Sequence, residues 1–265
     1  MLREMRLAAC GAVLGLAILL LSGANARCED EKDWWATATD PKNFSATVTF
    51  TTDYVLRGIS QTDSKPAVQG SLDYKHPSGA YIGVWGSNVD DSISKGDLEL
   101  DFYGGYTFEL FSNFNLDASI IYYYYPGCGH DPSKDYFEGH LGADYTFTDL
   151  PLEPKLSGAF YYSPDYFGED GDAYYVTGRL DLALPWEFTL YGLVGYQWVE
   201  GDKTTGHHLG DHGGNGYDYV TWRIGVSRPV LGFALELFYS DTDNAAYLGK
   251  SIADERVVFQ ISRTF

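Results

Sequence analysis

From residue 46 the chain alternates. Ala46, Val48, Phe50, Thr52, Tyr54 and Leu56 share one parity, and Thr47, Thr49, Thr51, Asp53, Val55 and Arg57 share the other. This is the period-2 pattern of a strand with one apolar and one wet face. Similar runs predict strands over 67–74, 81–89, 98–110, 114–125, 136–147, 155–162, 173–184, 187–199, 219–227, 231–240 and 256–265, about twelve in all. In the clearest, Leu98, Leu100, Phe102, Tyr106, Phe108 and Leu110 lie on one side, and Glu99, Asp101, Tyr103, Thr107 and Glu109 on the other. Three carboxylates on the buried face of a soluble sandwich would be costly unless each were paired. Facing a water-filled lumen they cost little. Each run is close to the roughly 9–11 residues that a tilted membrane strand needs, and an even count lets a single-chain barrel close. The predicted fold is therefore all-β: a single antiparallel transmembrane β-barrel of about 12 strands.

The connections alternate too. Short ones ("HPSG", "FSN", "TDLPLEP", "LPWE", "RPVLG") are interleaved with long ones ("GISQTDSK", "DDSISKGD", "PGCGHDPSKD", "SPDYFGEDGD", "GDKTTGHHLGDHGGNG", "DTDNAAYLGKSIAD"). A membrane barrel keeps its short turns at the periplasmic end and its long loops outside. On this reading "GISQTDSK" is an outer turn joining the first two strands. Phe265 ends a strand in which Val257, Phe259 and Ile261 share its parity, as in the C-terminal signal read by the barrel assembly machinery. Arg263 interrupts that face where a long cation can snorkel to water.

The N-terminus supports export. Arg3 and Arg6 precede an apolar stretch over 7–21 and a small-x-small site at Ala24-Asn25-Ala26, which reads as a signal peptide over 1–26. The stretch is shorter than the roughly 18 residues a membrane span requires. Residues 27–43 would then form a periplasmic tail and 44–265 the barrel. Composition fits a strand-and-turn protein with membrane interfaces: 30 Gly, 22 Tyr and 15 Phe against 2 Met. The net charge of −19, one unit more negative once Arg3, Glu4 and Arg6 are removed, repels nucleic acid and excludes that partner class. Expected partners are outer-membrane lipids and lipopolysaccharide, the assembly machinery, and small solutes or cations, with localisation in the bacterial outer membrane. Cys28 and Cys128 survive cleavage but fall in the tail and in an opposite loop, which argues against a disulfide.

Over 45–90, "TDYVLRGISQT", "PAVQG", "DYKH" and "SGAYIGVWGSNVD" resemble the TorF-like porin family, described as conserved bacterial proteins. Leu56 and Ala80 stand where that pattern calls for aromatics, and Ser71 where it calls for Gly. The resemblance implies an outer-membrane barrel and a channel. Function itself has to be read from the lumen.

The polar parity assigns Asp53, Asp73, Glu99, Asp101, Glu109, Asp117, Glu138, Asp144, Asp181 and Glu236 to the pore lining, with Arg57, Lys75, Lys155, Arg179, Arg223 and Arg256 as its bases. The acidic excess points to mild cation selectivity in a passive porin. The competing expectation is that opposite charges pair across the lumen. Inward Tyr103, Tyr123, Tyr125, Tyr161, Tyr175 and Tyr191 offer a track for a neutral solute, although barrel tyrosines mostly belong to interface belts. An acidic lumen disfavours acidic oligosaccharides. His207, His208, Asp211 and His212 form a metal candidate in a Gly-rich loop. No cofactor and no enzymatic activity are expected. A lipid hydrolase would need Ser and His on one wall near the outer leaflet, and the nearest pair, His76 and Ser78, falls in a periplasmic turn. The remaining alternative is a plugged structural or adhesion barrel, with Trp34 and Trp35 of the tail as the plug.

Overall fold

The computed structural model describes residues 37–94, 96–127, 133–201, 216–243, 245 and 250–265. In chain order the strands are β1 (Phe44–Thr51), β2 (Val55–Leu56), β3 (Ile59–Ser60), β4 (Ala67–Lys75), β5 (Ala80–Asn88), β6 (Leu98–Phe111) and β7 (Phe114–Tyr124). They continue as β8 (Tyr136–Thr146), β9 (Lys155–Ser163), β10 (Ala173–Ala183), β11 (Thr189–Val199), β12 (Tyr217–Val230), β13 (Phe233–Asp243) and β14 (Arg256–Thr264). Two one-turn helices, α1 (Asp91–Ser94) and α2 (Lys250–Ala253), sit in connections. All strands except β2 and β3 form one closed antiparallel barrel in which each strand pairs with its sequence neighbours and β1 pairs with β14. Closure is completed at the terminus by reciprocal backbone hydrogen bonds between Ala46 and Phe265, at 3.2 and 2.9 Å. No sheet edge of the barrel is left open, as a wall in contact with lipid requires.

The barrel is apolar outside and polar within. Leu72 and Ile82 are each 63% exposed and Val257 65%, whereas Glu99 and Glu138 are at most 1% exposed. Carboxylates buried inside a ring of exposed aliphatic and aromatic side chains are what a lipid-facing wall around a polar interior requires. Several inward tyrosines lie flat on glycines of the neighbouring strand. A Cβ on Gly83 would fall 2.5 Å from the Tyr103 ring, one on Gly195 2.2 Å from the Tyr175 hydroxyl, and one on Gly225 2.6 Å from the Tyr191 ring. Gly-for-Tyr complementarity accounts for part of the high content of both residues.

Strand bounds agree with the alternation almost throughout, with one departure of consequence. The first strand was expected to run to Leu56, but β1 stops at Thr51 and the chain turns into the barrel. Residues 52–66, with the small hairpin β2–β3, form a loop (L1) inside the lumen, so "GISQTDSK" is not an outer turn. The parity hid this break because it persists through it. Tyr54 and Leu56 pack with Ala67 and Val89 on one side of L1, while Val55 packs with Tyr191, Phe238 and Val258 on the other. The described part of the tail lies at the rim: the Tyr74 hydroxyl donates to the Ala38 carbonyl at 2.9 Å, and Asp40 caps the turn at Pro41–Asn43. Trp34, Trp35, Cys28 and Cys128 lie outside the described residues.

Candidate functional site: a lumen crossed by L1

Arg57 and Gly58 form the tip of the β2–β3 hairpin, both with positive φ (50° and 83°), the geometry of a tight two-residue hairpin turn. Gly is needed at the second position. A Cβ there would lie 2.5 Å from Thr221 Oγ1 on β12 and 2.5 Å from Thr242 Cγ2 on β13. The tip is thus seated against the wall, and Arg57 extends from it to the strands opposite β1. Its guanidinium donates to Glu138 Oε2 on β8 at 2.6 Å and to Gln197 Oε1 on β11 at 3.0 Å. It also lies over the rings of Tyr161 on β9 and Tyr175 on β10, 4.9 and 4.6 Å from their centroids. Both charges of the Arg57–Glu138 pair are buried, and a guanidinium that forks between Glu138 and Gln197 while stacked on two rings is an arrangement to which Arg is suited and Lys is not.

The base of L1 is fixed as firmly. Asp53 accepts from Ser60 Oγ at 2.6 Å, Thr62 Oγ1 at 2.8 Å and Arg256 Nη1 on β14 at 2.7 Å. The Tyr54 hydroxyl donates to Glu99 Oε1 on β6 at 2.9 Å, and its ring packs on Trp85 of β5. Ile59 joins Tyr219, Ala245, Ile252 and Ala253, which brings α2 down onto the hairpin. Beside it Tyr123 and Tyr136 stack at 4.3 Å, with Tyr166 and Phe167 of the 164–172 connection against them. At the mouth Lys65 is ion-paired with Asp90, whose backbone N–H also donates to the Gln61 carbonyl. The hydrogen bond from Lys65, helped by Ser92, lowers the Asp90 carboxyl to about 2.

The other half of the lumen is open. A cavity of about 290 Å³ is bounded by Asn115, Asp117, His140, Asp144, Ser157 and Arg179, and a second of about 420 Å³ by Lys155, Arg179, Asp181 and Thr189. Charges here are paired along the wall. Arg179 is bidentate on Asp181 and lies 3.7 Å from the Tyr191 centroid. Lys155 is 3.4 Å from Asp144, and His140 Nδ1 is 2.9 Å from Asp117, which also accepts from the Tyr81 hydroxyl. Asp73 and Glu236 accept from the Tyr103 and Tyr191 hydroxyls. Arg223 lies over Phe238 at 3.9 Å. Lys75 and Glu109 are exposed at the short-turn rim, where Glu109 accepts from the Asn113 amide.

Charge is segregated around the wall. Strands β6, β7 and β8 carry Glu99, Asp101, Glu109, Asp117, Glu138 and Asp144 without a single Lys or Arg, while Lys155, Arg179, Arg223 and Arg256 come from β9, β10, β12 and β14. Sequence parity missed the parts of the site that are not strand-borne. Tyr136, Gln197 and Tyr219 share inward parity with residues already singled out, but Tyr166 and Phe167 belong to a loop with no periodic signal. His76 and Ser78 are joined at 2.8 Å within an exposed tight turn, where the Ser78 amide also donates to the imidazole, and the pair serves that turn. His207, His208, Asp211 and His212 lie outside the described residues. Among the described residues no three His, Cys, Asp or Glu side chains are gathered as a metal centre.

A family model for bacterial proteins of unknown function, Gcw_chp, matches residues 35–265. No curated protein matches the chain. Among solved structures, the KdgM porin is similar over 83% of this chain and 99% of its own, with a TM-score of 0.52 and 12% identity. The KdgM porin in complex with disordered oligogalacturonate gives a TM-score of 0.51 at 11% identity over the same shares. The NanC porin gives 0.51 at 9% identity, over 83% of this chain and 98% of its own. The shared feature is the fold. A closed barrel of this kind with a lipid-facing belt is a bacterial outer-membrane barrel, and such barrels keep their short turns at the periplasmic end.

Proposed function

Because this chain belongs to the Gcw_chp family of bacterial proteins of unknown function, we propose a function from its lumen: a channel for passive diffusion of small polar solutes and ions, narrowed in its outer half by L1. The observation that carries this reading is Arg57 clamped to Glu138 and Gln197 above open cavities bordered by Asp117, Asp144, Arg179 and Asp181. Water and small ions can occupy the lower half, and passage is controlled where L1 meets the wall. The narrower TorF-like resemblance rests on the residues over 45–90 and agrees with a channel.

Mild cation selectivity follows from the segregated acids. Of the acids on β6–β8, Glu138 and Asp144 are matched by Arg57 and Lys155, while Glu99, Asp101, Glu109 and Asp117 have no Lys or Arg partner among the described residues, so this wall keeps an excess of negative charge, and fixed carboxylates raise the local concentration of cations. The pore lining proposed from parity includes both sets. The same acids disfavour polyanionic solutes, which separates this lumen from that of a barrel with bound oligogalacturonate. Residues 1–26 serve as a signal peptide, and lipopolysaccharide and the assembly machinery are the partners such a barrel meets.

A second reading, a permanently plugged structural barrel, is favoured by the seating of Gly58 against Thr221 and Thr242. Planar-bilayer recording of the refolded chain under a salt gradient separates the two. Reproducible steps with a cation-favouring reversal potential support the channel. A folded barrel that never conducts supports the plug, and an anion-favouring potential removes the selectivity.

A further inference from the structure

Glu99 and Asp101 stand at i and i+2 on β6, so their side chains leave the same face of one strand into the interior, their Cα atoms about 7 Å apart. Glu99 is fully buried and Asp101 is 9% exposed. Glu99 Oε1 accepts from Tyr54, but Glu99 Oε2 and Asp101 Oδ1 are buried without a hydrogen-bond partner among the described residues. Their surroundings are tyrosine and tryptophan: Tyr123 is opposite Asp101 on β7, Trp85 is opposite it on β5, and the Tyr125 hydroxyl is beside Glu99. The base nearest in the L1 network, Arg57, is already committed to Glu138 and Gln197. Two buried carboxyl groups therefore leave one face of one strand with idle oxygens and, among the described residues, no Lys or Arg paired to them. Leaving such groups ionised and uncompensated is expensive.

We propose that Glu99 and Asp101 hold a hard divalent cation, of the calcium class, in the wall beneath L1. The donors are all oxygen, which selects calcium-like over thiophilic metals, and two carboxylates balance a double charge. Water completes the coordination. Because the Tyr54 hydroxyl bonds to Glu99, the cation would also secure the base of L1 and favour its seated position. This role is separate from conduction, since a non-conducting barrel could bind the ion equally well.

Terbium is a suitable probe because it replaces calcium in oxygen sites and is sensitised by nearby Tyr and Trp rings. The refolded full-length chain, stripped with chelator and free of lipopolysaccharide, should show saturable sensitised emission that calcium displaces. The E99Q/D101N variant should lose it, while Asp149→Asn at an exposed turn should keep it. Asp101→Asn alone, which leaves the Tyr54–Glu99 bond in place, should weaken terbium binding and guards against a double variant that fails to fold. No sensitised emission from the wild-type chain, or equal emission and affinity in E99Q/D101N or Asp101→Asn, would overturn the assignment. Emission does not depend on current, so this test can fail while the channel reading stands.

Discussion

The two halves of this lumen are built by the same strands under the same alternating code, yet one is packed and the other open. In the outer half, L1 supplies Asp53, Tyr54 and Arg57 to partners on β14, β6, β8 and β11, and aromatic rings fill the space between. In the periplasmic half, Lys155, Arg179 and His140 find their carboxylates on the same or the next strand, and cavities of about 290 and 420 Å³ remain. Inward polarity alone therefore does not make a pore. What distinguishes the halves is whether a connection folds back to use the inward groups as docking partners or leaves them to pair along the wall.

Breaking the docking should have the largest effect. Arg57→Ala strands Glu138 as a buried, unpaired charge, a loss of about 3–5 kcal/mol that falls on L1 seating. Single-channel recording should show higher and more frequent open levels, with Arg57→Lys intermediate because it cannot reproduce the fork and the stacking. Gly58→Val should act in the same direction with less force. It places a β-branched residue at positive φ and drives it into Thr221 and Thr242, at a backbone cost of about 1–3 kcal/mol. A raised open-state conductance with the barrel's thermal melting retained would confirm that the strain is released at L1.

The lower half should respond differently. Arg179→Gln frees Asp181 in an open, half-exposed setting, so stability should change by about 1 kcal/mol or less while the reversal potential moves towards stronger cation preference. A large rise in conductance would mean that the periplasmic half, not L1, sets the bore. The smallest effect is at the mouth. Asp90 is held at about 2 by Lys65, below the usual carboxyl value near 4, so its contribution is complete above that usual value and is lost as the pH falls through about 2. Lys65 is 62% exposed, so the effect is small and screened by salt. Open probability should rise slightly over that acid range in wild type and stay flat in Lys65→Met.

The barrel was legible because every strand has two unlike environments, lipid and lumen, and alternation records that difference directly. L1 was not, because its two arms also have two unlike environments, the β4–β5 side and the β13–β14 side, so Tyr54, Val55, Leu56 and Arg57 continue the parity of β1 across a break in the ladder. The tip adds to the difficulty. Arg-Gly at a two-residue turn is a weaker signal than Asn-Gly or Asp-Gly. Charge along the wall was readable residue by residue, but which acids find bases depends on register, as with Asp144 and Lys155 two positions out of line on β8 and β9. Loop residues Tyr166 and Phe167 carried no period at all.

The most direct test of L1 as the constriction is to record wild-type chain and a variant with 55–60 replaced by a short Gly-Ser turn in the same planar bilayer system under a salt gradient. The excised hairpin contributes no residue to the barrel ladder, so both chains should fold. The expected result is a severalfold higher unitary conductance in the variant with the cation-favouring reversal potential retained, since the β6–β8 acids remain. Equal conductance in the two chains, with both folded, would contradict the account.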